Sequence, residues 1–161
     1  MIKPINIVIV PSVALLYSAC SSGTTQPDAD PVARKAAPEN VSIAGRQYYL
    51  ETDLWRDFMP ISPPDGKPLI ALAHIIATDS SENSLTLTVK QMWVVYGRQV
   101  WNAPLSAESR PPTPPYVLEV IARDGPKWSP GVEVDVIVEI ADNTSPAQLL
   151  RASKQMIFRT D

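Results

Sequence analysis

Tyr49, Glu51, Asp53, Trp55 and Asp57 recur at every second position of one short stretch. An extended chain puts alternate residues on one face. That face would carry carboxylates interleaved with aromatic rings. Carboxylate oxygens suit calcium, and a ring among hydrogen-bonding acids suits a sugar. Glu51, Asp53, Trp55 and Asp57 are therefore the candidate sugar or calcium face. A solvated outer strand face has the same composition, and the spacing is not that of a calcium loop.

Other chemistry is sparse. His74 is the only histidine and sits within the apolar run LIALAHIIA, where a core role is expected. One histidine and one cysteine do not make a zinc set. The sequence has no phosphate-cradling glycine loop and no nucleophile elbow. No catalytic residue, metal site or cofactor is assigned.

A second candidate surface comes from apolar excess. In LTLTVKQMWVVY, alternation puts Leu85, Leu87, Val89, Trp93 and Val95 on one face, taken as inward. The opposite row then continues as Met92, Val94 and Tyr96, with Trp101 nearby. A sheet packed on one side needs one apolar face. Met92, Val94, Tyr96 and Trp101 are therefore expected to contact another envelope protein or a second copy of the chain.

Strands must position both surfaces. VEVDVIVEI turns Val132, Val134, Val136, Val138 and Ile140 inward and Glu133, Asp135 and Glu139 outward. Further strands are expected at Arg46–Trp55, Leu69–Ala77, Tyr116–Arg123, Arg98–Asn102 and Leu149–Phe158. Turn chemistry separates them, as in SPPDGKP and RDGPKWSPG. About seven short strands over residues 41–161, with no long helical period, predict an all-β domain. As architecture only, this pattern resembles the immunoglobulin-like or fibronectin-III-like class, which implies a β-sandwich. A small β-barrel is the alternative.

The remaining residues concern location. MIKPINIVIVPSVALLYSA has a charged start, an apolar stretch and small residues before Cys20, the layout of a signal peptide over residues 1–19. Leu16-Tyr17-Ser18-Ala19-Cys20 resembles a bacterial lipobox, with its leucine one position further from the cysteine than usual. The resemblance implies cleavage before Cys20 and lipid on it, hence a membrane anchor at a bacterial cell envelope. Ser21, rather than aspartate, implies the outer membrane in a diderm host. Residues 20–40, polar and with Pro27, Pro31 and Pro38, read as the lipidated cysteine and a flexible tether. Extended, that tether would reach roughly 60 Å. Without residues 1–19 the chain carries 13 basic and 17 acidic side chains, with no basic block, so nucleic acid is not an expected partner. The expected function is a lipid-anchored binding or accessory module without catalysis. The alternative is a hydrolytic, carbohydrate-active envelope enzyme using surface carboxylates.

Overall fold

A computed structural model describes residues 31–80, 87–106, 114–143 and 145–161. Cys20, the signal segment and Leu85 lie outside the described residues. Its strands are β1 (Asn40–Ile43), β2 (Arg46–Asp57), β3 (Leu69–Ala77), β4 (Thr88–Tyr96), β5 (Gln99–Ala103), β6 (Leu105–Ser106), β7 (Val117–Gly125), β8 (Glu133–Asp142) and β9 (Ser145–Thr160). A five-residue helix, α1 (Pro31–Lys35), precedes them. All seven expected strands are present. β1 and β6 were too short to show a period.

The strands form one sheet in the order β5-β4-β8-β9-β2-β3-β7-β6, with β1 added to β2. The all-β expectation holds. The sheet curls until it is nearly closed, so the architecture is the barrel-like alternative and not two separate sheets. The cause is β9, which runs for 16 residues. Its first part pairs antiparallel with β8, and its last part pairs parallel with β2, Leu54 to Asp57 facing Ile157 to Thr160. Lys154 has a φ of 52° at the irregularity in the β8 pairing, where Val134 faces Gln155 and Val136 faces Ala152, a left-handed kink shortly before the strand passes to β2. One strand thus belongs to both halves, which a sandwich would keep apart.

Inward side chains of every long strand meet in one core. Leu50 and Leu54 of β2 pack with Ala71, Ala73 and Ile75 of β3, Val134, Val136 and Val138 of β8, and Leu150 and Ile157 of β9. The alanines of β3 let the opposite wall approach closely. The inward row assigned to β8 is as expected: Val134, Val136, Val138 and Ile140 are buried and Val132 packs against them.

β4 departs from its expected phase. Val89 faces Ile140, yet Gln91 faces Glu139, so one extra residue is inserted between them. Because side chains alternate, a one-residue bulge exchanges the two faces beyond it. Leu87 and Val89 point to the main core before the bulge. Met92 and Val94 do so after it, both fully buried. Trp93 and Val95 turn to the opposite face, where they pack with Ile137, Val100, Leu149 and Ala37.

That second cluster is covered from the N-terminal side. Arg34 is buried to 6% exposure, with its guanidinium 4.6 Å from the Trp93 ring centre. Lys35 pairs with Asp135 at 3.1 Å, and Arg151 N donates to Pro38 O. Residues 31–40, expected within the tether, are therefore built onto β8 and β9.

Candidate functional site

The expected acid face exists as a face. Tyr48, Leu50, Leu54 and Arg56 of β2 are buried, which leaves Tyr49, Glu51, Asp53, Trp55 and Asp57 on the outside. Across the sheet, Glu51 faces His74 and His74 faces Glu119. His74 is thus half-buried on the outer face of β3, not inside the core. Its Nε2 lies 3.0 Å from Glu119 Oε2. Asp57 has a separate task. Its Oδ2 accepts from Lys67 Nζ at 2.7 Å and its Oδ1 from Met59 N at 2.8 Å. The Lys67 hydrogen bond, then the Met59 amide, holds the Asp57 carboxyl below the usual carboxylate range. Among the described residues no three His, Cys, Asp or Glu side chains are grouped to hold a metal ion. The four face residues are neighbours on one strand, and Asp57 is engaged in securing the loop after it.

The expected partner row divides. Met92 and Val94 are core residues, because the bulge reverses β4 before them. Trp101 is half-buried against the main core and lies on Gly125. Tyr96 alone stays exposed, its ring 5.5 Å from that of Trp128. Trp128 Nε1 donates to Gln99 Oε1 at 2.6 Å, which fixes the indole across the β4–β5 turn.

Tyr96 belongs to a surface that alternation did not reveal. Strand directions place the ends of β2, β4, β7 and β9 and the starts of β3, β5 and β8 at one end of the barrel. Arg56 closes that end. It continues the inward row of β2 with only 3% exposure. Its Nε donates to Lys67 O at 2.9 Å, and its Nη1 to Lys127 O at 3.2 Å and Trp128 O at 3.1 Å. Its Nη2 donates to Asp65 O. The forked guanidinium thus ties two loops to one strand through their carbonyls. Phe58 lies between Arg56 and Arg159, with guanidinium carbons 5.0 Å and 4.1 Å from its ring centre. Gly66, at a φ of 73°, runs so close beneath Phe58 that a Cβ would meet the ring at 2.6 Å.

Around this plug stand Met59, Ile61, Met156 and Phe158, all exposed. Phe158 is the register partner of Trp55. Ion pairs surround them: Lys67 with Asp57 at 2.7 Å, Lys127 with Asp65 at 2.5 Å and Arg159 with Asp161 at 2.7 Å. Hydrogen bonds from Lys127 and Arg159 lower the carboxyls of Asp65 and Asp161 in turn. The only sequence signal for this surface was the apolar content of LWRDFMPI and QMIF. Their common location depends on the parallel pairing of β2 with β9.

A cleft of about 280 Å³ lies between β1, β2 and β9. It forms because β1 pairs β2 only as far as Tyr49 and β9 joins it only from Leu54. Thr52 Oγ1 donates to Gln155 Oε1 at 2.8 Å across the seam. On the rim, Arg151 donates to Lys35 O and Ser153 donates to Glu39. These contacts clasp the N-terminal segment to β9.

No family model matches the chain, and a search of curated proteins finds no match. Fold and surface define a nearly closed all-β barrel with a polar wall and one apolar end.

Proposed function

We propose that this protein is a lipid-anchored module of a bacterial cell envelope that acts by contact rather than by catalysis. The observation that carries the reading is the junction at Cys20. A charged start and an apolar stretch end there, and a polar segment with prolines follows. Ser21 favours the outer membrane in a diderm host. The barrel end that carries Tyr96 supports a contact role, because it gathers exposed apolar side chains on an otherwise polar surface.

The enzymatic alternative draws less support. Glycoside hydrolysis needs two carboxyls facing across a substrate. Glu51 and Asp53 project from the same side of one strand, and Asp57 is engaged by Lys67.

Mass spectrometry of the mature N-terminus tests the anchor. Diacylated or triacylated Cys20 is the expected result. An unmodified terminus at another residue refutes the lipoprotein reading. Cross-linking in intact cells, followed by purification in detergent, then reports what the barrel touches.

A further inference from the structure

We propose that the barrel end closed by Arg56 rests on a lipid bilayer, with Ile61 and Phe158 entering its interfacial layer. This deepens the anchored reading and depends on it only in that an anchor keeps a bilayer within reach.

Clustering is the first observation. The exposed large apolar residues among those described are Met59, Ile61, Tyr96, Met156 and Phe158. All five lie at this end. Met59 and Ile61 follow the end of β2, Tyr96 ends β4, and Met156 faces Glu133 at the start of β8. Ile61 is 87% exposed, in a turn closed by Ser62 N donating to Met59 O at 2.7 Å. A projecting isoleucine offers no groove to a partner's side chain, but it fits among fluid acyl chains. Trp55 beside Phe158, and Tyr96 beside Trp128, add to this end rings of the kind that settle at a membrane interface.

Charge narrows the occupant further. Lys67, Lys127 and Arg159 flank the apolar tip, each paired with an aspartate. Their stems can lie along apolar surface with their heads in water. Paired in this way they add little net charge. The end therefore suits a bilayer held by apolar burial, with no requirement for anionic headgroups.

Chain direction is the third observation. β1 runs from Asn40 opposite Tyr49 to Ile43 opposite Arg46, away from the apolar end. The chain before it comes from the other direction, past Lys35 on Asp135, two residues from the start of β8. Ten residues separate Cys20 from Pro31. They span at most about 35 Å. A lipid on Cys20 and the apolar tip can therefore meet the same leaflet.

The test uses the mature chain, as isolated, on phosphatidylcholine vesicles containing brominated acyl chains. Tryptophan fluorescence of the wild type should be quenched, through Trp55 and Trp128 above all. Ile61→Asp should lose most of that quenching with an unchanged melting temperature, and Ile61→Asp/Phe158→Asp should lose more. Raising the salt to about 1 M, where the Debye length is about 3 Å, should leave wild-type quenching intact. If the N-terminus is lipidated and the wild type shows no quenching, the proposal fails while the anchor stands. If the N-terminus carries no lipid, the anchored reading fails, and vesicle binding that Ile61→Asp weakens by about tenfold still supports the apolar end. Sedimentation showing a wild-type dimer that Ile61→Asp dissociates, without quenching, assigns the end to a second copy and overturns the proposal.

Discussion

A Cβ placed on Gly125 would lie 2.7 Å from the Trp101 ring. Gly125 ends β7 and Trp101 sits in β5, and no hydrogen-bonded ladder joins these two strands. The indole lying on the bare glycine thus completes the barrel where pairing stops. Gly125→Ala should lower stability by about 1–3 kcal/mol through overpacking. Trp101→Ala should lower it by about 3 kcal/mol through lost burial. Denaturant midpoints check both. An unchanged midpoint for Gly125→Ala would show that the ring can move aside.

Met92 and Tyr96 should separate cleanly. Met92 is fully buried in the main core, whereas Tyr96 is 36% exposed. Met92→Ala is expected to cost about 2–5 kcal/mol. Tyr96→Ala should cost no more than about 1 kcal/mol, as at other surface sites. The reverse order in chemical melts would restore the uninterrupted alternation of β4 and remove the bulge.

Arg56 holds carbonyls of Asp65, Lys67, Lys127 and Trp128. Arg56→Met fills similar space but strands those acceptors, at a cost of about 3 kcal/mol. Arg56→Lys should fall between, since an ammonium cannot reproduce the fork. Limited proteolysis should show faster cutting in both tethered loops. Equal cutting in wild type and Arg56→Met would mean that the loops hold themselves.

Acid should weaken the apolar end first. Asp57, Asp65 and Asp161 have carboxyls lowered from the usual 3.8 by hydrogen bonds from Lys67, Lys127 and Arg159 respectively. A group whose folded pKa is depressed stabilises the fold above its unfolded value. That contribution is lost as pH falls through the lower, folded value. Stability should therefore hold above about pH 4 and decline below it. Asp57→Asn should make the acid limb of the stability–pH curve shallower, with little effect at pH 7 beyond the lost pair. An acid limb unchanged by Asp57→Asn, Asp65→Asn and Asp161→Asn would assign the decline to other carboxylates.

Local alternation determined much of this molecule. The continuous apolar run of β3 marks it as a strand from sequence alone, and the alternating valines of β8 also give its inward face, because a period of two leaves little choice there. The outward row from Tyr49 to Asp57 was legible for the same reason. The junction at Cys20 is likewise read from linear order, and its lipid remains a proposal. Three features belonged to the tertiary structure. The bulge before Gln91 reverses β4, and composition gives no sign of it because both rows of that strand are apolar. Arg56 is an inward residue on an alternating strand, but only the carbonyls of two distant loops make its burial tolerable. Trp55 and Phe158 meet because β9 crosses from β8 to β2, a parallel contact between segments about a hundred residues apart that no local pattern encodes.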